Sequence, residues 1–373
     1  MSSGKLRAWA EIDLSAVAHN LSLFRTLHPG RTVIAVVKAD AYGHGTVEVS
    51  RRVIAEGAEM LAVACIDEGG KLREAGIEVP VLLLGAYTRE ECREILGLGL
   101  HVSVSSLDFA RALDEAAHAK GVAAPVHINI DTGMGRLGMP CATAIEEVEQ
   151  ISVLPSLDLQ GIYTHFAESE AEDREFTLHQ VEAFRRVLDA LSGTGIRFRY
   201  EHLANSAAVL DVPESAFNCL RPGISLYGLR PDPCCACDVD LRPAMKFCAR
   251  VVSVRKHEAG STIGYNRTCR LSKDTRVAVI SAGYADGYDR RFSNMAVVTI
   301  RGSHAPVLGR VSMDLISVDV SQIRNVAPGD EAVLFSNEPK APNSVECLAQ
   351  MTGTIPHVLT CGVSKRVQRV YVN

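Results

Sequence analysis

The sequence predicts an α/β protein with two domains: an N-terminal (β/α)8 barrel of the TIM type in residues 1–240 and a C-terminal all-β domain in residues 241–373. Two observations predict this fold. Eight apolar runs of strand length alternate with amphipathic stretches of helical length, which is typical of parallel βαβ units that close into a barrel. From Met245 onward, short β runs separated by turn residues replace that alternation. A chain of 373 residues is long enough for both domains.

The barrel elements follow from the apolar pattern. Leu6–Ile12 is a first strand candidate, and residues 1–13 are candidates to pair with the β domain. Asp13 or Ser15 can cap a helix that runs to about Leu27. Helical stretches such as Leu107–Lys120 separate the barrel strands. The eight strands are expected at Thr32–Val37, Met60–Cys65, Val79–Leu84, His101–Val104, Val126–Ile130, Leu157–Tyr163, Phe198–Leu203 and Phe217–Leu220.

The second domain contains short strand candidates and little helix beyond Ser344–Met351. Its strands are expected at Phe247–Lys256, Val277–Ile280, Met295–Ile300, Pro306–Val311, Ile316–Val320, Glu331–Phe335 and Val370–Val372.

The charge balance argues against two classes of partner. The chain has 39 basic and 44 acidic residues and a net charge of −5, so it offers no basic field for nucleic acid or an anionic membrane surface. No apolar segment approaches the roughly 20 residues that cross a bilayer, and residues 1–9 lack the apolar core of a signal peptide. We therefore expect a cytoplasmic protein that acts on a small molecule.

The cysteines indicate a reduced protein without a metal site. There are eleven, an odd number without regular spacing. The one dense group, Cys234, Cys235 and Cys237, has no second pair at ligand spacing, and the flanking prolines and aspartates mark a linker.

Lys38 is the first candidate functional residue. It follows the fully apolar run Val33–Val37 and precedes the glycine-punctuated turn Ala39–Gly45. A run of β-branched residues without polar alternation is typical of a strand buried on both faces. The residues alone leave two interpretations: a lysine that snorkels out of the strand end, or a Schiff-base lysine whose neutral amine is favoured by burial.

Polar side chains also follow the other predicted strands, at the end of the barrel where function lies. Taken singly, a histidine here could be a core residue and an arginine a surface ion pair. Their convergence on one rim favours a site. In chain order they are Asn129, Arg136, His165, His202, Asn205, Ser206 and Arg221. Ser206 and the backbone amides of Gly223 and Ile224 would form a phosphate cradle, because barrels often hold phosphate after strands seven and eight.

Several of these segments resemble the alanine racemase family, two-domain bacterial enzymes that use pyridoxal phosphate. The similar blocks occur in the same order over nearly the whole chain, from Trp9 to Tyr371. In the barrel they are Val37–Gly45, Asp131–Gly138, His202–Ser206 and Arg221–Gly228, and in the β domain Gly264–Asn266, Gly283–Tyr288 and Gly309–Asp314. Seven blocks in register make the resemblance specific.

The resemblance implies an alanine racemase that interconverts L- and D-alanine by two-base proton transfer on a pyridoxal-phosphate imine. Lys38 would act on the D-face and Tyr265, from the partner subunit of a homodimer with shared active sites, on the L-face. Arg221 would face the pyridine nitrogen and be supported by His165. The remaining cofactor contacts would be Tyr42, Asn205, Ser206, Gly223, Ile224 and Lys365, and the substrate carboxylate would meet Arg136, Met313 and Asp314.

The chain departs from the family pattern at two positions. Many members have a lysine at the position of Asn129, and its carbamylated form positions the arginine that corresponds to Arg136; an asparagine cannot be carbamylated, so a bound anion or a direct amide contact would replace it. Lys365 stands where some relatives have a tyrosine that contacts the cofactor phosphate, and a lysine could pair with that phosphate directly.

Three other functions stay open at this point. The protein could be a racemase of another small amino acid such as serine, because relatives that accept serine vary near Lys365. It could be a non-catalytic pyridoxal-phosphate carrier, although such proteins resemble the barrel alone. It could be a decarboxylase of the same architecture, but those enzymes usually present a carboxylate to the pyridine nitrogen, where this chain has Arg221.

Overall fold

The computed structural model describes residues 6–231 and 239–373, so the cysteine group at 234–237 lies outside the described residues. The first part of the chain alternates strands and helices. Its elements are β1 (Ala8–Asp13), α1 (Leu14–Leu27), β2 (Thr32–Val36), α2 (Lys38–Tyr42), α3 (Thr46–Ala55), β3 (Met60–Val63), α4 (Ile66–Glu74), β4 (Val81–Leu83), α5 (Cys92–Gly97), β5 (His101–Val104), α6 (Leu107–Lys120), β6 (Ala124–Asp131), β7 (Met139–Pro140), α7 (Cys141–Ser152), β8 (Leu157–Tyr163), α8 (Glu175–Gly193), β9 (Tyr200–His202), α9 (Ser206–Asp211) and β10 (Cys219–Leu220).

Eight of these strands form a closed parallel barrel. The hydrogen-bonded order is β5-β4-β3-β2-β10-β9-β8-β6, and β5 pairs with β6 to complete the ring. The short β7 adds to the edge of β6. The predicted (β/α)8 barrel is confirmed, and each of the eight expected runs overlaps one barrel strand.

The second part of the chain is rich in β-structure. Its elements are β11 (Met245–His257), β12 (Thr262–Ile263), β13 (Cys269–Arg270), β14 (Thr275–Ile280), β15 (Val297–Ile300), β16 (Ser303–Pro306), β17 (Ile316–Asp319), β18 (Glu331–Phe335), α10 (Val345–Met351), α11 (Pro356–Gly362) and β19 (Gln368–Val372).

The first strand of the chain belongs to the sheet of the second domain. β1 pairs antiparallel with β11 and parallel with β19. Asp13 ends this strand and begins α1, because its side-chain oxygen accepts the amide of Ala16 at 3.0 Å. The chain therefore enters the barrel from the β domain and returns to that domain after β10.

The expected strand at Pro306–Val311 is wrong, because the strand lies earlier, at Ser303–Pro306. Arg301 (φ 49°) and Gly302 (φ 73°) form a two-residue turn in which both φ angles are positive. Such a turn pairs β15 directly with β16 and so starts the strand at residue 303. Beyond it, only the isolated bridge between Val307 and Val318 extends the pairing.

Helix α11 was not predicted, since its seven residues are too few to show a helical period. None of the helices in residues 6–231 and 239–373 combines the length and the apolar character needed to span a bilayer.

Candidate active site

Lys38 begins a turn with an unusual backbone. The next four residues, Ala39 to Tyr42, all have left-handed φ angles between 51° and 55°. That conformation costs an L-residue roughly 1–2 kcal/mol. Four in succession persist only where surrounding contacts hold them.

Side chains around the turn provide part of that support. Glu68 accepts the amide of Ala39 at 2.6 Å through one carboxylate oxygen and the amide of Ala64 at 2.9 Å through the other. His44 is fully buried, and its Nδ1 lies 3.0 Å from the carbonyl oxygens of both Ala41 and Tyr42. Burial lowers the pKa of His44 to about 4, so this ring is neutral and donates from Nδ1.

The second domain completes the support. Arg369, in β19, donates from Nε to the carbonyl oxygen of Gly43 at 2.9 Å. A Cβ at Gly43 would lie 2.1 Å from the carbonyl oxygen of Thr360, in α11. A Cβ at Gly45 would lie 1.9 Å from the hydroxyl of Tyr371. The lysine turn is thus packed directly against α11 and β19.

The Lys38 side chain lines a cavity of about 180 Å³ at the carboxyl-terminal rim of the barrel. Burial lowers the pKa of its amine, and the positive charges of Arg136 and Arg221 lower it further. The cavity therefore presents an amine of which a larger fraction is unprotonated near neutral pH than in an exposed lysine. Other residues that line it are Asn129, Met134, Tyr163 and His165.

Arg221 is buried beside this cavity, and both of its terminal nitrogens donate hydrogen bonds within the chain. It donates from Nη1 to Nδ1 of His202 at 2.6 Å, and from Nη2 to the carbonyl oxygen of Thr164 at 2.9 Å and Nδ1 of His165 at 3.2 Å. Its guanidinium also lies over the ring of Tyr163, 5.1 Å from the centroid. Burial lowers the pKa of Arg221 to about 10, so it stays charged at neutral pH.

His165 is held neutral at the same rim. Burial and the neighbouring cations Arg221, Arg136 and Lys38 lower its pKa to about 3. Because its Nδ1 accepts from Arg221, the single ring proton must be on Nε2. The side chain therefore accepts from the guanidinium and retains one donor for a further group.

The residues of the predicted phosphate cradle lie together in a compact turn. Ser206 accepts the backbone amides of Gly223 at 2.8 Å and Ser225 at 3.2 Å through its hydroxyl oxygen. A Cβ at Gly223 would lie 2.5 Å from the hydroxyl of Tyr42, so only glycine leaves this space open. Asn205 orients the segment, because its side-chain oxygen accepts the amide of Ala208 at 3.1 Å.

A second cavity, of about 520 Å³, includes this cradle and shares Lys38, Arg136 and Arg221 with the first. Ser206, Gly223, Ile224, Tyr42 and Asn205 also line it. The structure thus brings together the amine, the guanidinium and the cradle that were inferred from separate strand ends.

The glycine-rich loop after β6 presents Arg136 to the rim. Asp131 shapes this loop, since its carboxylate accepts the amides of Gly133 at 2.9 Å and Gly135 at 3.1 Å. Asn129 is buried and donates to the hydroxyl of Ser105 at 3.4 Å. Asn129 and Arg136 both line the smaller cavity.

The candidate residues of the β domain lie elsewhere. Tyr265 is 66% exposed and Met313 is 52% exposed, and neither is among the residues that line the Lys38 cavities. Asp314 is exposed and accepts from Nη2 of Arg366 at 2.7 Å. Lys365 is exposed in the loop between α11 and β19 and likewise does not line either cavity.

Two of the β-domain blocks do meet each other. A Cβ at Gly264 would lie 3.0 Å from the amide nitrogen of Arg310, and one at Gly309 would lie 2.5 Å from the carbonyl oxygen of Ile263. Tyr265 therefore projects from a backbone that is fixed against the second block.

Sequence reasoning missed three polar residues that shape the rim. Gln180, buried in α8, donates to the hydroxyl of Thr132 at 3.0 Å and to the carbonyl oxygen of His165 at 3.2 Å, and accepts the amide of Ala167 at 3.0 Å. His357 lines the larger cavity, with its ring centroid 5.7 Å from that of Tyr42. His127 bonds to His202 inside the barrel. A polar side chain within an apolar run was the available signal for His127.

The fold and the rim define a two-domain barrel protein built around a buried amine and a buried donor-only cation, with the predicted phosphate cradle beside them. Comparison with known proteins narrows this class. The N-terminal alanine racemase domain model matches residues 12–231, and the C-terminal alanine racemase domain model matches residues 244–371. The chain belongs to the alanine racemase family.

Individual relatives agree with this assignment. The chain is 40% identical to the alanine racemase of Desulforamulus reducens, covering 98% of each chain. It is 41% identical to that of Carboxydothermus hydrogenoformans, covering 98% of this chain and 99% of the relative. Among solved structures, alanine racemase from Clostridium difficile 630 superposes with a TM-score of 0.95 at 35% identity, covering 99% of this chain and 96% of the other.

Proposed function

We propose that the protein is an alanine racemase that interconverts L- and D-alanine with pyridoxal phosphate, the cofactor that its family uses. The observation that carries this proposal is the Lys38 amine, which lies in a small rim cavity beside Arg221 and within reach of an anion cradle.

The residues present fit this cofactor. Lys38 supplies an amine of lowered pKa. Gly223 leaves the space beside Tyr42 that a Cβ would fill, at the strand ends where barrels hold phosphate. Ser206, Tyr42 and the turn at Gly223 would hold the phosphate, and Arg221 would face the ring nitrogen.

When bound, pyridoxal phosphate makes the α-proton of an amino acid acidic enough for side-chain bases to remove it. Lys38 is one such base. Because burial and two neighbouring cations lower its pKa, more of the amine is neutral near pH 7 than in an exposed lysine. The proton would be taken up and returned at Nζ.

Arg221 has only donors, so a ring nitrogen that faces it receives hydrogen bonds and no proton. Arg221 would thereby limit the electron withdrawal that the cofactor supplies, and so favour prompt return of a proton to the α-carbon. The bonds from Arg221 to His202, Thr164 and His165 hold the guanidinium in one orientation for this purpose.

Tyr265 is the second base in our proposal, and it would come from a second copy of the chain. Its ring is 66% exposed, yet its backbone is fixed, with Gly264, Asn266 and Arg267 all at positive φ. Because Tyr265 does not line the Lys38 cavities of its own chain, a symmetric homodimer would complete both sites. Met313 and Asp314 would reach the partner's substrate in the same way.

Arg136 would bind the substrate carboxylate at the rim, since a guanidinium forms paired hydrogen bonds with a carboxylate. Asn129 cannot be carbamylated, so it offers Arg136 no negative charge. Arg136 would instead be held by an anion bound beside Asn129, or by direct contact with the Asn129 amide. Lys365 would contribute charge near the phosphate only after it turns inward, because it is exposed in the single chain.

The direct test measures loss of optical rotation from L-alanine, and separately from L-serine, with added pyridoxal phosphate. We expect racemisation of alanine, and no activity on either substrate would refute the proposal.

Reduction with borohydride should fix the cofactor on Lys38, identified by peptide mapping. Tyr265→Phe should lower kcat by about 10²–10⁴-fold, as for loss of a general base.

The shared site has its own test. Lys38→Ala and Tyr265→Phe proteins should each be inactive alone. In a mixed dimer, one of the two sites keeps both native residues, so co-refolding the two variants should restore activity. A mixture that stays inactive, despite mass-spectrometric evidence of mixed dimers, would show that both residues act within one chain.

A further inference from the structure

A row of three histidines runs through the interior of the barrel and ends at Arg221. His101 Nδ1 lies 3.3 Å from His127 Nε2, His127 Nδ1 lies 2.9 Å from His202 Nε2, and His202 Nδ1 lies 2.6 Å from Arg221 Nη1. His127 and His202 are fully buried, and His101 is partly exposed. His127 and His202 therefore each use both ring nitrogens in these hydrogen bonds, whereas His101 uses only Nδ1.

The row crosses the barrel from one mouth to the other. His101 is the first residue of β5, at the amino-terminal mouth, and His202 is the last residue of β9, at the rim that carries Lys38. Space for the middle ring comes from Gly161 in β8, where a Cβ would lie 2.2 Å from His127 Nδ1. The rings are also stacked, His127 on Tyr200 and His202 on Tyr163.

The donor-only character of arginine sets the direction of every hydrogen bond in the row. Because Arg221 donates to His202 Nδ1, that nitrogen carries no proton, and a neutral His202 must carry its proton on Nε2. His202 then donates to His127 Nδ1, which places the proton of His127 on Nε2. His127 in turn donates to Nδ1 of His101.

The reverse arrangement places two donors face to face. If His127 donated to His202 Nε2, His202 would carry its proton on Nδ1, 2.6 Å from the N–H of Arg221. An unsatisfied buried donor is costly. Burial also keeps the row neutral, since it lowers the pKa of His127 and His202 well below the usual range and that of His101 to about 4.

His101 forms the outer end of the row. The carboxylate of Asp158 raises the pKa of His101, whereas the cations Arg73 and Arg199 lower it. These opposing charges leave burial as the dominant effect.

We propose that His127 is a positioning residue for Arg221: by accepting the Nε2 proton of His202, it holds His202 as an acceptor and so fixes the guanidinium at the reactive rim. This inference rests on the proposed function for its catalytic meaning, but the tautomers themselves can be observed without turnover. His101 supports the row more weakly, through a longer bond at a partly exposed ring.

A matched pair of variants isolates the hydrogen bond from the packing. His127→Asn puts an acceptor oxygen close to the position of Nδ1, whereas His127→Leu has nearly the same size and no acceptor. In the full-length protein labelled with 15N-histidine, two-bond 1H–15N spectra should show wild-type His202 neutral with its proton on Nε2. That proton should exchange with solvent at least about tenfold faster in His127→Leu and near the wild-type rate in His127→Asn.

The two variants should also differ from each other in their kinetics. With pyridoxal phosphate bound, His127→Leu should lower kcat about tenfold or more, while KM for alanine changes little because Arg221 does not bind substrate. His127→Asn should recover most of that loss. A proton on Nδ1 of His202, a doubly protonated His202 at pH 7, or equal behaviour of the two variants would overturn the proposal.

If His127→Leu fails to fold, His101→Leu provides the second test. It should speed exchange of the His127 Nε2 proton and leave that of His202 protected; unchanged exchange of the His127 proton would overturn the assigned direction. Absence of racemisation by the wild-type protein would refute the proposed activity, whereas the exchange and tautomer data decide the positioning role independently.

Discussion

Gly43→Ala should loosen the packing of the lysine turn against α11. Gly43 has φ 85°, and a Cβ there would lie 2.1 Å from the carbonyl oxygen of Thr360. The left-handed backbone alone costs an alanine roughly 1–2 kcal/mol. Because the clashing atom is backbone, it cannot rotate away, and we add about 1–3 kcal/mol for overpacking. The expected loss of about 2–5 kcal/mol is a large fraction of the typical 5–15 kcal/mol that stabilises a folded domain.

Gly30→Ala is the matched control. Gly30 also has a left-handed φ, 74°, but nothing lies within 4 Å of a Cβ built there. It should therefore show the backbone cost without the clash. Urea unfolding can be followed by the fluorescence of Trp9, the single tryptophan, which is buried in β1. The midpoint should fall further for Gly43→Ala than for Gly30→Ala, and equal midpoints would refute the assigned clash.

Three further predictions concern the rim and its histidines. Ser206→Ala removes the acceptor for two backbone amides, so the Kd for pyridoxal phosphate, measured by absorbance titration, should rise about tenfold; an unchanged Kd would contradict the cradle. Gln180→Leu keeps the side-chain size but leaves buried groups unpaired, and should cost about 1–3 kcal/mol in urea unfolding, whereas a loss below about 0.5 kcal/mol would contradict that account. Burial lowers the pKa of His44 to about 4 and the pKa values of His127 and His202 well below the usual range. Since the unfolded chain then binds more protons below pH 6.5, stability should fall as pH drops from 6.5 toward 4, by up to about 4 kcal/mol for the three at pH 5.5; a urea midpoint equal at pH 7.5 and 5.5 would refute this.

The barrel could be predicted because its strands are buried on both faces and read as continuous apolar runs. The rim could be predicted because parallel strands place their carboxyl ends together, so that Lys38, Arg221 and Ser206 had to converge although they are far apart in sequence. That prediction rested on the position of these residues at the ends of barrel strands, and not on any single residue.

Other features had little or no local signal. The four left-handed residues after Lys38 include two alanines, which have no preference for positive φ, and tertiary contacts alone hold them there. His127 lies in an apolar strand like a core residue, and its partner His202 is 75 positions away. The start of β16 depended on a two-residue turn at Arg301 and Gly302 that carries an unusual arginine at positive φ.

Residue roles on the β domain stay predictions, because they depend on a second copy of the chain. Tyr265, Met313 and Asp314 are exposed in the single chain, and the sequence resemblance is what assigns them to a site. For Tyr265, the dimer complementation experiment tests this assignment directly.

The packing of the lysine turn also affects how the protein is made. The turn lies within the first 45 residues, but part of its support comes from Thr360, Arg369 and Tyr371. During synthesis, the barrel strands can pair before these residues leave the ribosome, whereas the strained turn then has only its contacts with Glu68 and His44. A nascent chain released before residue 371 should therefore contain a barrel whose amine is unfixed, so cofactor capture would be a late event in biogenesis, after the β domain has closed over the turn.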